Sequence, residues 1–287
     1  MKDRPEVPAP APATEAQPLD PVALTGRLTA ALRARESASS DRLFLDPFAD
    51  RLAGEEGRRL LEVFGENSTI AVRTRFFDDE LTQAARSGPR QIVILAAGMD
   101  TRAYRLDFPA GTQVFELDRD EVLRVKDQLL SQPSGSAPEP RCRRRPLGVD
   151  LASDWSEPLT EAGFDASRPT CWLAEGLTQY LTASDVGGLL DRVTSLSAGG
   201  SVLFIDFVGQ SLLDSPVMRP LIERFAEHGA PWRYGTDRPE DLLTPRGWQP
   251  DTALISTVGT RMGRWPYPDV PRDTPGVGQG FFVRARR

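Results

Sequence analysis

The sequence is poor in the residues that most metal and disulfide sites require. It has two cysteines, Cys142 and Cys171, and one histidine, His228, in 287 residues. Two cysteines do not make a disulfide framework or a cysteine-based zinc site. No cluster of histidine, cysteine and carboxylate residues has the spacing of metal ligands. The sequence therefore predicts no metal.

Long apolar runs and a basic character are also missing. No stretch reaches the roughly 18 residues that a membrane span needs, and residues 1–20 have no apolar segment typical of a signal peptide. The formal net charge of −6 and the pI near 5.1 disfavour a nucleic-acid partner. The basic runs at 141–145 and 284–287 are interpreted as solvated surface. We expect a cytoplasmic protein with neither membrane nor nucleic-acid partners.

The hydrophobic pattern divides the chain into five segments. Residues 1–20 are rich in proline and alanine and are predicted to be a disordered tail. The remaining residues, 21–287, are predicted to form one domain. Its segments are a helical cap (21–88), a core of alternating strands and helices (89–208), a helical lid insertion broken by prolines (209–240) and C-terminal edge strands (241–287).

The core segment predicts the fold class. Five apolar runs between residues 91 and 208 read as strands, and helical segments separate them. Two further runs, 252–260 and 278–286, are predicted as a late pair of strands at the sheet edge. This order predicts an α/β fold with a mostly parallel seven-stranded sheet and helices on both faces. Such sheets bind ligands beyond the carboxyl ends of their strands.

The first predicted strand, "QIVILAA", runs into a turn at Gly98. Unpaired backbone N–H groups and a missing side chain at such a junction favour a polar ligand, although Gly98 alone fits a simple tight turn equally well. About twenty residues later Asp118 ends the second strand, where an acid can accept hydrogen bonds from ribose; Glu116 is the second candidate. The combination favours an adenosine-containing cofactor. Because a Gly-x-Gly-x-x-Gly phosphate loop is absent, S-adenosylmethionine is favoured over NAD(H).

Five motifs, in order, resemble the leucine carboxyl methyltransferase family. They are "AVRTRFFDD", "ILAAGMDTRAYRL", "VFELDRDEVLRVKDQLL", "GVDLASDW" and "WLAEGLTQYLTASDVGGLLDRV". The chain is most similar to the bacterial branch of S-adenosylmethionine-dependent O-methyltransferases, which includes enzymes that make methyl esters of polyketide acids. The resemblance runs from about Thr25 to near Val208. It implies a Rossmann-like class I methyltransferase fold, S-adenosylmethionine as the cofactor, and a place in specialised metabolism such as antibiotic biosynthesis.

The resemblance also implies roles for individual residues, of which Glu175 and Tyr180 are the candidate catalytic ones. The implied contacts are Arg73 with the cofactor carboxylate, Gly98 with its methionine portion, Asp118 with the ribose, Asp150 and Leu151 with the adenine, Glu175 with the amine and methyl, and Tyr180 with the substrate. Asp100, which follows Gly98 where a helix N-cap belongs, is a further candidate for cofactor binding. Without the resemblance, Arg73 reads as a surface ion pair, Asp150 as a helix N-cap and Glu175 as a turn acid.

The chain departs from the family at Ala96, where the family usually has glycine. The additional methyl group either narrows the turn and weakens cofactor binding or is a harmless substitution. A protein that binds the cofactor without catalysis, or binds nothing, is an alternative that this residue supports. A nicotinamide oxidoreductase is disfavoured because the sequence lacks a catalytic Tyr-x-x-x-Lys motif.

The scarcity of bases predicts the acceptor. A carboxylate is already ionised near neutral pH and needs no general base, whereas a hydroxyl usually needs one. We therefore expect a small-molecule carboxylic acid as the substrate. A peptide or protein C-terminal carboxylate is an alternative, and so is a small-molecule hydroxyl served by Tyr180, Glu175 or Asp206. His228 is interpreted as a surface residue rather than a catalyst.

The substrate pocket is expected between the N-terminal helices and the 209–240 insertion. Three aromatic residues of that segment, Phe225, Trp232 and Tyr234, predict a flat apolar substrate under a lid. Packing of the same side chains against the domain is at least as good an interpretation. The oligomeric state is not predicted.

Overall fold

The computed structural model describes residues 19–132 and 138–287. The predicted disordered tail therefore lies outside the described residues up to position 18. Leu19 is buried in the hydrophobic core, and the Asp20 carboxylate accepts a hydrogen bond from the backbone N–H of Ala23. These two residues thus belong to the folded part of the chain, and Asp20 is the N-cap of its first helix.

Helices and strands alternate through most of the described chain. The helices are α1 (Pro21–Ala38), α2 (Ala49–Phe64), α3 (Ser68–Ser87), α4 (Arg102–Arg105), α5 (Asp120–Ser131), α6 (Ser156–Glu161), α7 (Ala183–Ser195), α8 (Gln210–Leu213), α9 (Arg219–Glu227), α10 (Glu240–Leu243) and α11 (Ile255–Arg261). The strands are β1 (Gln91–Leu95), β2 (Gln113–Asp118), β3 (Arg143–Gly148), β4 (Thr170–Ala174), β5 (Val202–Val208), β6 (Gln249–Leu254) and β7 (Gly280–Arg286).

The seven strands form one sheet in the order β3-β2-β1-β4-β5-β7-β6. Strands β1 to β5 pair in parallel, and β7 is antiparallel to both β5 and β6. The predicted α/β fold with a mostly parallel seven-stranded sheet is confirmed. Pro146 lies in β3, which is an edge strand, where a missing N–H can face away from the ladder.

Both faces of the sheet are covered, which explains why the central strands are continuously apolar. In β1, Ile92 and Ile94 pack into one buried layer with residues of α2, α3 and α5. Val93 and Leu95 point to the other layer, which includes residues of α6 and α7. Because parallel strands need crossover helices, this arrangement leaves the carboxyl ends of β1 to β4 together at one edge.

The N-terminal helices begin and end where the sequence places their signals. Asn67 accepts a hydrogen bond from the N–H of Thr69 and so caps α3. Helix α2 ends at Gly65, whose φ of +75° is favourable for glycine. Helices α1 and α2 approach closely, because a Cβ atom at Gly57 would lie 2.4 Å from the carbonyl oxygen of Arg27.

The prediction of a strand over residues 252–260 is wrong in its second half. Strand β6 ends at Leu254, and Ile255 begins helix α11. Isoleucine, threonine and valine favour strands locally, but packing overrides this preference. Val258 is buried, and Gly259 lies so close to Trp265 that a Cβ atom there would be 3.2 Å from that side chain. The helical conformation therefore buries Val258 and packs Gly259 against Trp265.

The insertion at 209–240 packs on the N-terminal helices. The Phe225 ring stacks on Phe64 of α2 at 4.3 Å between centroids, and Trp232 stacks on Phe225 at 5.2 Å. Tyr234 packs instead against the layer that includes α6 and α7. The three aromatic side chains therefore fasten the insertion to the domain.

One ion pair holds the connection between α11 and β7. Arg272 donates from Nη1 to Glu240 Oε1 at 2.7 Å and from Nη2 to Oε2 at 2.8 Å. These hydrogen bonds from Arg272 lower the pKa of Glu240 to about 2. A carboxyl group with a lowered folded-state pKa stabilises the fold above its unfolded-state pKa of about 4.3 and loses that contribution as the pH falls through the folded value.

We therefore expect Glu240→Gln to be less stable than the unsubstituted protein at pH 7, and we expect this difference to shrink below about pH 4 and to close near pH 2. Urea unfolding at a series of pH values measures the difference. Glu223→Gln is the control, because Glu223 is exposed and forms no ion pair with another described residue; it should leave the unfolding free energy at pH 7 unchanged. A constant difference between Glu240→Gln and the unsubstituted protein down to pH 2 would contradict the assignment.

Candidate functional site

A cavity of about 380 Å³ lies at the carboxyl ends of β1 to β4, with α1 along one wall. The eight residues for which the family resemblance, or for Asp100 the position after Gly98, implies a cofactor or catalytic role all line it. They are Arg73, Gly98, Asp100, Asp118, Asp150, Leu151, Glu175 and Tyr180. They come from six separate places in the chain, so their convergence is a property of the fold. Their individual roles stay predictions.

The turn after β1 differs from the expectation in its hydrogen bonds. The N–H of Gly98 donates to Asp118 Oδ2 at 2.7 Å, and the N–H of Asp100 donates to the carbonyl of Ala97 at 2.8 Å. The predicted unpaired backbone donors are thus already used. Gly98, with φ of +47°, contributes a left-handed turn and the absence of a side chain.

Ala96 is the only non-glycine residue with positive φ among residues 19–132 and 138–287, at +52°. This conformation costs an alanine about 1–2 kcal/mol, whereas glycine loses about 0.5–1 kcal/mol more conformational entropy on folding. The positive φ therefore explains why the family usually has glycine at this position.

We expect Ala96→Gly to raise the free energy of unfolding by about 0.5–1 kcal/mol, because strain relief exceeds the entropic cost. Urea unfolding measures the change. Ala97→Gly is the matched control, since Ala97 is buried and has no positive φ, and it should lower the stability. Destabilisation by both substitutions would mean that Ala96 is not strained.

Asp118 faces the cavity, and Glu116 does not. Asp118 Oδ1 accepts from the N–H of Arg119 at 2.8 Å while Oδ2 holds Gly98. Burial raises the pKa of Asp118 above its ordinary value, although the two N–H donors oppose the shift. Glu116 is fully buried and pairs with Lys126 and Arg144, both at 2.8 Å. Of the two candidate ribose acids, only Asp118 lines the cavity.

Arg73 is a mostly buried, ion-paired residue rather than a surface residue. Its side chain is 12% exposed, its Nε donates to Glu175 Oε1 at 2.9 Å, and its Nη1 donates to Asp206 Oδ2 at 3.2 Å. Nη2 makes no hydrogen bond to any described residue. That nitrogen is available to a ligand carboxylate in the cavity.

Glu175 is held as an ion and is unsuited to act as a base. Burial raises its pKa, but the guanidinium groups of Arg102 and Arg73 outweigh burial and bring the pKa below its ordinary value. Arg102 Nη2 lies 2.7 Å from Glu175 Oε2. This contact lacks the angle of a hydrogen bond, so Oε2 is buried without a hydrogen-bonded partner.

Asp206 accepts a hydrogen bond from Arg73 and so helps to hold that guanidinium in place. Its Oδ1 accepts from the N–H of Gly176 at 2.7 Å, and burial raises its pKa more than Arg73 lowers it. Asp206 does not line the cavity. In the sequence, an acid inside the apolar strand "VLFIDFV" indicates that Asp206 is buried for a reason, but this pattern does not reveal that its partner is Arg73.

Arg102 connects three carboxylates, and sequence reasoning missed it. Its Nε donates to Asp78 Oδ1 at 2.8 Å, its backbone N–H donates to Asp100 Oδ1 at 2.7 Å, and its guanidinium contacts Asp100 and Glu175. Burial raises the pKa of Asp100, but Arg102 is the main cause that brings it down to about 2. In the sequence, "MDTRAYRL" gives no sign that this arginine is 3% exposed.

The opposite end of the cavity is formed after β3. Asp150 is exposed, and its Oδ1 accepts from the N–H of Ala152 at 2.9 Å. This is a local turn, and α6 begins only at Ser156, so Asp150 is not a helix N-cap. Val149 and Leu151 line the cavity beside it. A carboxylate next to apolar side chains suits a flat, partly polar ring.

Helix α1 covers the cavity, with Tyr180 on the same side. The carboxylate of Asp20, the cap of α1, forms an ion pair with Arg119, the residue after Asp118. Tyr180 ends a short 3-10 turn after β4 and packs near Leu28 of α1. No residue of 209–240 lines this cavity, so Phe225, Trp232 and Tyr234 do not contribute to it, and their role in a substrate pocket stays a prediction.

The single histidine of the sequence lies away from the cavity, and the structure offers neither a metal site nor a membrane span in the residues it describes. His228 is exposed on the insertion, with Nδ1 2.8 Å from the carbonyl oxygen of Arg224. Within the described ranges, no three His, Cys, Asp or Glu side chains are arranged to hold a metal ion. In the same ranges, no helix is both long and apolar enough to cross a membrane.

Comparison with known proteins gives the family. The model of the leucine carboxyl methyltransferase family matches residues 27–194. A protein of Parafrankia sp., named as an S-adenosyl-L-methionine-dependent methyltransferase, is 38% identical, with 93% of this chain and 87% of that protein aligned. A protein of the same name from Frankia alni is 41% identical over 93% of this chain and 95% of its own length.

Among solved structures, a Thermobifida fusca protein described as a methyltransferase is similar, with a TM-score of 0.62. The alignment covers 91% of this chain and 94% of that chain, at 18% sequence identity. This similarity concerns the fold, which the two proteins share despite low sequence identity.

Proposed function

The chain belongs to the leucine carboxyl methyltransferase family and is an S-adenosylmethionine-dependent methyltransferase of the class I α/β fold. From this premise we propose that it is an O-methyltransferase that converts the carboxylate of a small-molecule acid into a methyl ester. The premise supplies the cofactor and the reaction class. The cavity residues support the choice of acceptor.

The residues present fit the cofactor at its amino-acid end. Arg73 Nη2 has no described partner and can bind the carboxylate, while Glu175 Oε2, which is ion-paired with Arg102 at 2.7 Å, has a further lone pair that can accept from the ammonium. When bound, S-adenosylmethionine supplies an electrophilic methyl group on a sulfonium. Because Glu175 stays ionised beside the cavity, it also favours a positive charge there.

The nucleoside end has matching acceptors. Asp118 uses one lone pair on each oxygen for Gly98 and Arg119, which leaves lone pairs for ribose hydroxyls. Asp150 has a second carboxylate oxygen without a described partner, and this oxygen can accept from the adenine amine. Leu151 gives the ring an apolar contact.

The observation that carries the proposal is that the acids beside Arg73 and Arg102 are not free general bases, while Asp118 and Asp150, which also line the cavity, are assigned to the nucleoside end. Glu175 is ion-paired to two arginines, Asp100 is held ionised by Arg102, and His228 is exposed elsewhere. A hydroxyl acceptor must lose a proton during transfer, whereas a carboxylate arrives without one. The residues of this cavity therefore suit an acceptor that is ionised in solution.

The contribution of the protein is then positioning and exclusion of water. Tyr180 and Leu181 line the cavity beside Glu175 and are placed to contact the acceptor. Helix α1 covers the cavity, which limits access of water. Alignment of an acceptor with a methyl donor can account for about 7–11 kcal/mol of a barrier, so chemistry without a base is sufficient for a carboxylate.

The proposal is tested by methyl transfer from radiolabelled S-adenosylmethionine to a panel of small aromatic and aliphatic carboxylic acids, with matched phenols, alcohols and a peptide carrying a free C-terminal carboxylate. We expect labelled products from the acids, and we expect alkali to release the label as methanol, because esters hydrolyse and ethers do not. Neighbouring genes guide the choice of acids.

Each other result points to a different function. An alkali-stable product from a phenol or alcohol identifies an ether-forming enzyme and overturns the proposal. Labelling of the peptide alone places the substrate among polypeptides. Tight cofactor binding without any transfer to the panel, or to acids of the neighbouring pathway, argues for a binding protein.

A further inference from the structure

Thr74 has a buried hydroxyl group without a partner at the wall of the cavity. It follows Arg73 in α3, is 1% exposed and lines the cavity. Its Oγ1 makes no hydrogen bond to a described residue. Most buried hydroxyl groups in proteins are hydrogen-bonded, so an unpartnered one in a ligand cavity needs an explanation.

Two other helical threonines at the same cavity have hydroxyl groups that are hydrogen-bonded within their own helix. In α1, Thr25 Oγ1 donates to the carbonyl of Val22 at 2.6 Å, and Thr29 Oγ1 donates to the carbonyl of Gly26 at 2.9 Å. Such bonds to the preceding turn are the usual solution in a helix. Thr74 does not make one, so its hydroxyl group is left for something outside α3.

The surroundings of Thr74 indicate the chemistry of the missing partner. Its neighbour Arg73 has one guanidinium nitrogen, Nη2, without a described partner, and both residues line the cavity. Glu175 Oε1 and Asp206 Oδ2 already accept from Arg73. A carboxylate can accept from both Nη2 and a hydroxyl group, and S-adenosylmethionine carries one at its amino-acid end.

We propose that the Thr74 hydroxyl group donates a hydrogen bond to the carboxylate at the amino-acid end of S-adenosylmethionine, next to Arg73. This inference rests on the proposed placement of that carboxylate beside Arg73. It makes Thr74 a cofactor-binding residue that discriminates ligands with the amino-acid portion from those without it.

The test is Thr74→Val, which removes the hydroxyl group and keeps the shape of the side chain. We expect the ligand-free variant to melt at least as high as the unsubstituted protein, by up to about 2 °C, because an unsatisfied buried hydroxyl is lost. The Kd of S-adenosylmethionine and of S-adenosylhomocysteine, measured by calorimetry, should rise about 5–10-fold. Thr74→Ser should keep both values within about twofold.

A second ligand separates this role from general effects on the cavity. 5′-Methylthioadenosine lacks the amino-acid portion, and its Kd should be the same in Thr74→Val and in the unsubstituted protein. Equal weakening of both ligands, or a lower melting temperature with unchanged Kd values, would overturn the inference and leave a structural role.

Arg73→Lys distinguishes this result from failure of the underlying placement. It keeps the charge between Glu175 and Asp206 but loses the guanidinium fork. Weaker S-adenosylmethionine binding by Arg73→Lys with unchanged binding by Thr74→Val removes only the role of Thr74. Unchanged binding by both variants removes the placement of the carboxylate itself.

Discussion

Replacing Arg102 by methionine is expected to lower the free energy of unfolding by about 3–5 kcal/mol. Arg102 is 3% exposed and contacts the carboxylates of Asp78, Asp100 and Glu175. Methionine fills a similar volume but leaves these three acids without their shared cation. Removing one partner of a buried ion pair is costly because the remaining charge stays in a poorly solvated place.

Urea unfolding at pH 7 measures the effect, and Arg124→Met is the control. Arg124 pairs with Asp120 on the surface of α5, with 61% and 70% of the two side chains exposed. An exposed pair of this kind contributes about 0–1 kcal/mol. If the two variants lost similar stability, Arg102 would not be the cation that holds the buried carboxylates together.

The second large effect concerns the cofactor. We expect the unsubstituted protein to bind S-adenosylmethionine with a micromolar Kd and to show no comparable binding of NADH. Asp118→Ala is expected to raise the Kd for S-adenosylmethionine at least about 100-fold, since hydrogen bonds to a charged group contribute about 1.5–3 kcal/mol each and two ribose hydroxyls lose their acceptor. The substitution also frees the N–H of Gly98, which disturbs the turn after β1.

Calorimetry with both ligands measures the second effect. Asp107→Ala is the matched control, because Asp107 is an exposed loop carboxylate whose one ion pair with a described residue is to the exposed Arg141; the Kd of this variant should equal that of the unsubstituted protein. An unchanged Kd in Asp118→Ala would remove the ribose assignment. Tight NADH binding would contradict the choice of cofactor that the missing phosphate loop indicates.

The ion pairs behind the first effect also bear on ligand binding. The cavity is bordered by charged groups that are paired with one another before any ligand arrives: Arg73 with Glu175 and Asp206, and Arg102 with Asp78, Asp100 and Glu175. Paired charges in a buried network hold fixed positions, so little reorganisation is needed when a charged ligand binds. The same pairing makes the loss of a central arginine expensive.

The sequence by itself determined the features that depend on neighbours along the chain. The strand-to-helix alternation, the caps at Asn67 and Gly65 and the acid at the end of β2 follow from local periodicity and backbone preference. The order of the family motifs placed eight residues around one cavity before any contact between them was visible. Local rules predicted the alternation, the caps and the acid because the energies of these features come from contacts a few residues apart, whereas the placement of the eight residues came from the family resemblance.

Only the tertiary structure decided which charges meet and which surfaces face each other. Arg73 pairs with an acid 102 residues away, Arg102 proved to be buried, and residues 255–261 became a helix against α3 instead of a strand. Phe225 and Trp232 of the insertion pack against residues of α1 and α2 and do not line the cavity. Such outcomes depend on the desolvation and packing of groups that are distant in the chain, and these energies have no local signature.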